Sequence, residues 1–414
     1  MPDQILDAHT SDPKLMGWME GLPPPPDKRL AWARADHMRF PTHRYAYAHM
    51  REFLPTVRVS RGQGPVWQLP MALRDDIDAV RFNSLDDGRE LTWAESLAVN
   101  FTDAVLVIHK GTIVYERYFG VTRPDSTHIA FSVTKSFIGT LAEMLIAEGR
   151  LDPSAPMADL IPELNGSGFA DATLRQVMDM TTALDFSEEY TDPNSGIGAM
   201  SNALGLTPRM PGYKGPTDVY AYLPTIGKAG THGERFTYRT CNTEVLGWLI
   251  ARTEGKRLDR VLSERIWQPL GMEQDADFLI DSSGMPFAGG GLNPCLRDMA
   301  RFGETMRLGG VGNGAQAIAS AAVSACREGG HPDRFAPAGY AFIPGGAYSS
   351  QWWIMGGNHG VFSARGIHGQ AIWIDPVAEV TIARFGSHPT AANAAMDPTS
   401  LPAFRAVAEH LMRG

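Results

Sequence analysis

The stretch FSVTKSFIGT, residues 131–140, sets Ser132 three positions before Lys135 in an otherwise apolar run. At that spacing the hydroxyl and the amine share one face of a helix that begins there. A serine hydroxyl is a poor nucleophile at neutral pH and needs an adjacent base. Lysine can be that base where burial penalises its charged form, and Phe131, Phe137 and Ile138 offer such surroundings. The start of a helix adds free N–H groups beside the serine, useful where an oxyanion develops. The chemistry expected is acyl transfer through a serine ester. Chance is the competing account, since such a pattern arises about once in a chain of this length. Ser11 and Lys14 repeat it, but in a polar terminus with Pro13 between them.

A lysine base does not easily serve both the attack and the protonation of the leaving group, so a second proton carrier is wanted. GERFTYRTCNTEVLGW, residues 233–248, offers Tyr238 and Asn242 just before an amphipathic helix. An ordinary half-buried tyrosine is the plainer alternative.

These residues need elements to hold them. AVLVIHKGTIVYERYFG, residues 104–120, reads as two strands joined by a Lys110-Gly111 turn. A helix follows from residue 131, with Ile138, Leu141 and Leu145 at helical spacing and Gly149 as its stop. From Pro153 to about Gly291 the pattern is helical with long loops. From Leu292 a helix leads to the strand-like stretches AGYAFI, SSQWWIM, GIHGQAIWID and EVTIARF, and LPAFRAVAEHLMR closes the chain as a helix. Strands at both ends with helices between them point to an α/β (α+β) architecture: an antiparallel sheet flanked by helices, carrying a mostly helical subdomain. The division expected is a wrapping segment over 1–60, an α/β sandwich from 61–152 and 292–414, and the helical subdomain over 153–291. The prolines of GLPPPPDKR cannot join a helix or a ladder, so that segment is expected to run over the body as extended chain, a docking motif being the alternative.

With 414 residues, 43% of them hydrophobic, the chain can bury a large core. A net charge of -9 without basic runs argues against nucleic acid and anionic membrane surfaces. Three scattered cysteines argue against a disulfide framework. The first residues lack the basic-then-apolar pattern of a secretory signal, and no window reaches the roughly 20 apolar residues of a membrane span. A cytoplasmic protein is expected.

FSVTKS, AEGRLDPSAPMADLIPEL, TLRQVMDMTTALDF and GERFTYRTCNTEVLGWLI together resemble the serine β-lactamase and penicillin-binding-protein superfamily, in its class C-like branch. Within it the chain is most similar to the 6-aminohexanoate-dimer (nylon-oligomer) hydrolases and related carboxylesterases, from about Pro41 onward. The resemblance implies a β-lactamase-like fold, with Ser132 as nucleophile, Lys135 as base and Tyr238 as proton relay. It implies an oxyanion hole from the N–H groups of Ser132 and Ile367. It also implies substrate contacts from Tyr190 on a flexible loop, from Trp353 and from Asn242, which three residues separate from Tyr238.

The sequence departs from the wider superfamily in lacking a lysine after Lys256, where many relatives bind a substrate carboxylate on an edge strand; Arg365 is a partial substitute. His368 is a substrate-contact candidate on that strand, with an inward structural role as the alternative. A linear amine substrate would want a pocket carboxylate, and residues 193–217 contain none, which leaves Glu188, Glu189 or Asp192. The activity expected is hydrolysis of carboxylic esters, with linear amides second. A penicillin-recognising enzyme and a silent binding relative are the alternatives. No metal site is expected, for want of a His-Glu-x-x-His or a Cys/His cluster, and no other cofactor. Gly289–Gly291 reads as a turn beside the cleft, and Cys241 as packing. The expected partner is a small ester or amide, with a homodimer left open.

Overall fold

Lys110 (φ 51°) and Gly111 (φ 78°) both take the left-handed conformation that a tight hairpin requires. They join β1 (Thr102–His109) to β2 (Thr112–Tyr118). In the computed structural model, which describes residues 5–414, this hairpin forms one side of a seven-stranded antiparallel sheet. The other strands are β3 (Ala347–Ser349), β4 (Trp352–Ile354), β5 (Phe362–Arg365), β6 (Ala371–Asp375) and β7 (Val380–Gly386), in the order β3-β4-β5-β6-β7-β1-β2. β7 pairs with β1 from Val380–His109 to Gly386–Thr102, so the last strand closes on the first. Everything between residues 119 and 346 is therefore inserted between β2 and β3, the two edge strands of one sheet.

Both faces of the sheet are covered. Along β1, Val105 and Val107 point to one face and Leu106 and Ile108 to the other, as strand alternation requires. The first pair packs with Phe404, Val407 and Leu411 of the closing helix α5 (Asp397–Met412). The second pair belongs to the main core, which includes α1 (Val133–Ala147), α2 (Thr240–Glu254) and α3 (Leu296–Arg307). α4 (Ser320–Glu328) lies against α1. Residues 70–74 run along the outer side of β2, where the Ile113 N–H donates to Pro70 O and Ala72 N–H donates to Ile113 O.

α1 is buried along nearly its whole length rather than on one face. It crosses the β3–β4 turn so closely that a Cβ on Gly139 would sit 2.0 Å from the Ser350 carbonyl oxygen. The Ser136 hydroxyl donates to Gln351 O at 2.7 Å in the same crossing.

Two expectations are corrected here. AGYAFI is not a strand but a short 3-10 turn and bends, with Gly339 at φ 75°. The segment before residue 60 is not simply extended: short helical turns occupy Pro13–Met16, His43–Ala46 and Met50–Glu52, while the proline run is largely exposed. Residues 1–4 of that segment lie outside the described residues. Buried Arg44 ties the segment down by donating to Ala8 O, to the Ser11 hydroxyl and to the Ser387 hydroxyl just beyond β7.

Candidate active site

Ser132 is the N-cap of α1, the residue just before Val133, and its own N–H makes no hydrogen bond among the described residues. One turn later the Lys135 amine lies 2.9 Å from the Ser132 hydroxyl and donates to Gly289 O at 2.6 Å. Burial, the dominant influence, lowers the Lys135 pKa to about 8, and the acidic neighbours Glu188 and Glu244 oppose the drop. The amine is thus close to the point where it gives up its proton in ordinary buffer, which a lysine in water is not.

Gly289 explains the glycine-rich turn. A side chain there would meet Thr240 Cγ2 at 2.4 Å and Glu244 Oε1 at 2.8 Å. Glu244 accepts from the N–H groups of Ala288 and Gly289, and so holds the turn whose carbonyl holds Lys135. Its own carboxyl is pushed up to about 8 by burial, with the two N–H groups and Lys135 working against the rise. Glu244 escapes sequence reasoning because it looks like any charged residue of a helix.

Tyr238 sits just before α2, its ring centroid 5.2 Å from the Lys135 amine. Burial is the main reason its hydroxyl is pushed well above the usual phenol range; nearby Glu188 adds to this and the facing Ser132 hydroxyl works against it. At neutral pH it is therefore a phenol, able to give a proton but not to act as a tyrosinate base. Trp353 stacks on it with centroids 5.5 Å apart, and the Arg365 guanidinium covers the tryptophan at 5.2 Å. Trp352 faces the other way, into the core beside Phe302 and Phe362.

These groups line a cleft of about 720 Å³ that also takes in Tyr190, Glu188, Ile367 and Tyr340. Ile367 follows β5, and its N–H, like that of Ser132, makes no hydrogen bond among the described residues. Phe131, the residue before Ser132, has φ 42°, and His368, the residue after Ile367, has φ 61°. Left-handed backbone in residues of this kind is costly and collects at functional sites. Tyr47 packs against both, at 4.9 Å from the Phe131 ring and 5.3 Å from the His368 ring.

Of the residues singled out from the sequence, the cleft unites Ser132, Lys135 behind it, Tyr238, Ile367, Trp353 and Tyr190. Tyr190 donates to Glu188 Oε1 at 2.8 Å. Two others are not there. Asn242 is fully buried, accepting from the Thr182 hydroxyl at 2.8 Å and donating to Arg239 O, so the turn of α2 points it inward. His368 turns away against His43 and Tyr47, with its Nδ1 on His388 O at 2.7 Å, and burial lowers its pKa to about 4. Arg365 reaches the cleft but is paired with buried Asp397, so it is no free anchor for a carboxylate. Glu188 and Glu189 line the cleft whereas Asp192 does not. Among the described residues no group of three or more His, Cys, Asp or Glu side chains is placed to hold a metal, and no helix is long and apolar enough to cross a membrane.

Comparison with known proteins extends this picture. The beta-lactamase family model matches residues 97–400. A 6-aminohexanoate-dimer hydrolase of Paenarthrobacter ureafaciens is 35% identical over 360 residues, covering 87% of this chain and 88% of the relative. A solved Bacillus anthracis chain with a provisional 6-aminohexanoate-dimer hydrolase designation superposes with a TM-score of 0.83 at 31% identity, covering 91% of this chain and 96% of its own. A D-stereospecific amidohydrolase from Streptomyces sp. shares the fold at a TM-score of 0.55 and 15% identity, over 74% of this chain and 97% of its own. A buried amine against the serine that starts a central helix, on a β-lactamase-like fold, agrees with the match over most of the length: the chain belongs to the beta-lactamase family and is a serine hydrolase.

Proposed function

We propose that the protein hydrolyses carboxylic esters and linear amides with unbranched chains through an acyl-enzyme on Ser132. The observation that carries the reading is the 2.9 Å contact between the Lys135 amine and the Ser132 hydroxyl in a buried setting that favours the neutral amine. Neutral Lys135 takes the serine proton as Oγ attacks the carbonyl carbon. The oxyanion rests on the N–H groups of Ser132 and Ile367, both at the cleft and both without a hydrogen bond among the described residues. Tyr238 gives its phenolic proton to the departing oxygen or nitrogen, and the protonated Lys135 makes good the loss. Water then attacks the acyl-enzyme and the same groups run in reverse.

Aromatic walls from Tyr190, Tyr238 and Trp353 suit an alkyl chain, and Glu188 beside them suits an ammonium at its end. The relative named for its action on 6-aminohexanoate dimer supports including linear amides with esters. The buried, unbridged Cys241, Cys295 and Cys326 fit a cytoplasmic setting.

A fluorophosphonate probe in native buffer should label the wild type at Ser132 and leave Ser132→Ala unlabelled, inactive and folded. Wild-type turnover by Ser132→Ala would end the proposal.

A further inference from the structure

Residues 366–370 join β5 to β6, and Ile367 among them lines the catalytic cleft. An N–H that is to receive an oxyanion must stay unspent and still point one way. Its peptide therefore has to be fixed through other atoms.

Gln370 supplies those bonds on both sides. Its main-chain oxygen accepts from the Gly366 N–H at 2.9 Å. Its side-chain amide donates to Ile367 O at 3.2 Å. The peptide that carries the Ile367 N–H lies between these two points, held at both ends by one residue. The same amide reaches the end of β7, where Nε2 donates to Gly386 O at 2.6 Å and Oε1 accepts from the Gly386 N–H at 3.0 Å. β7 shifts register between Phe385 and Gly386, so the amide binds where the strand is irregular. Gln370 is fully buried, and both hydrogens of its amide and its oxygen are spent on backbone.

The turn also has little room to move. A Cβ on Gly366 would sit 2.7 Å from Ala130 O, two residues before Ser132, and one on Gly386 would sit 2.9 Å from His368 O. The connection is thus pressed between the approach to the nucleophile and the end of β7. The spacing of the Ser132 and Ile367 N–H groups depends on its keeping that place.

Resting on the serine-hydrolase reading above, we propose that Gln370 is the positioning residue of the oxyanion hole. It fixes the Ile367 N–H relative to that of Ser132 and acts on the transition state through this donor, without touching the substrate.

The test uses the full-length enzyme with 4-nitrophenyl butanoate and its thiono counterpart, in which sulfur replaces the carbonyl oxygen. Sulfur is larger and a poorer acceptor, so a well-placed hole favours the oxoester, and a displaced donor forfeits that preference. Gln370→Met keeps the bulk and removes every side-chain bond. Gln370→Glu, which burial among carbonyl oxygens keeps protonated, retains both bonds to Gly386. It has one O–H where the amide has two N–H groups, and so loses the bond to Ile367 O. Each variant should lower kcat/KM for the oxoester by about tenfold or more, a displaced donor costing less than the roughly 100-fold of a missing one. The oxo-to-thiono ratio should fall by a comparable factor. A role in packing alone slows both esters equally, so equal losses, or none, overturn the proposal. Where Gln370→Met does not fold, Gln370→Glu decides. A wild type that prefers the oxoester no more than hydroxide does removes the oxyanion role of Ile367 and the proposal with it, while the hydrolase reading stands. Failure to hydrolyse either ester overturns that reading as well.

Discussion

The rings of Tyr47 and Phe131 meet edge-on, with centroids 4.9 Å apart and planes at 82°. Through Phe131 and His368 the same ring braces the residues next to both free N–H donors, although Tyr47 lies far from either in the chain. Its hydroxyl is buried without a hydrogen-bond partner among the described residues. The brace therefore depends on the ring and not on the oxygen. Tyr47→Phe should keep kcat within about twofold and gain up to about 1 kcal/mol of stability, because an orphaned polar group is removed. Tyr47→Leu should lower kcat about tenfold or more with a smaller change in KM, since a misplaced oxyanion donor weakens the transition state above all. Equal loss in both variants would assign the effect to the hydroxyl instead.

Activity should rise with pH through the Lys135 transition. The lysine must be neutral to accept the serine proton, and its pKa is lowered to about 8, so the competent fraction grows as pH climbs past that value. The limb in kcat/KM, which reports free enzyme, is expected near pH 8 and ascending. A profile already flat from pH 6 upward would show that another group is the base.

Glu244 tests the setting of that limb. Its anionic form favours protonated Lys135, so Glu244→Gln should move the ascending limb to lower pH. The amide oxygen can still accept from the Gly289 N–H, but the amide NH2 cannot accept from Ala288, so a loss of about 1–3 kcal/mol is expected in denaturant unfolding. A limb displaced to higher pH would contradict the assignment.

Gly139 carries a stability prediction. Gly139→Ala places a methyl group 2.0 Å from the Ser350 carbonyl oxygen, closer than any side chain tolerates. α1 and the β3–β4 turn must separate, at a cost of about 2–3 kcal/mol. Thermal unfolding reads this directly. An unchanged Tm would mean that the crossing is looser than described.

What could be read from the chain follows how local each feature is. Ser132 and Lys135 were legible because one helical turn brings them together whatever the rest of the chain does. Trp353 came from the family resemblance, and strand alternation accounts for its facing the cleft while Trp352 faces the core. Asn242 was misread because its direction depends on where α2 begins, and at that phase it points to Thr182. AGYAFI has the composition of a strand but Gly339 on a left-handed turn and Pro344 just beyond it, so it bends along the cleft wall. Tyr47, Glu244, and Asp397 as the partner of Arg365, carry no local mark at all. Their roles arise from contacts between distant segments.

The stretch along β2 has a consequence for how molecules of this protein meet one another. An uncovered border of a sheet is a template on which the same strand of another copy can lay itself down. At Ile113 the outward N–H and C=O are already engaged by Pro70 and Ala72 of the same chain. Self-association by extending the ribbon across that border is blocked at Ile113 from within, and any pairing of copies there must be made by side chains.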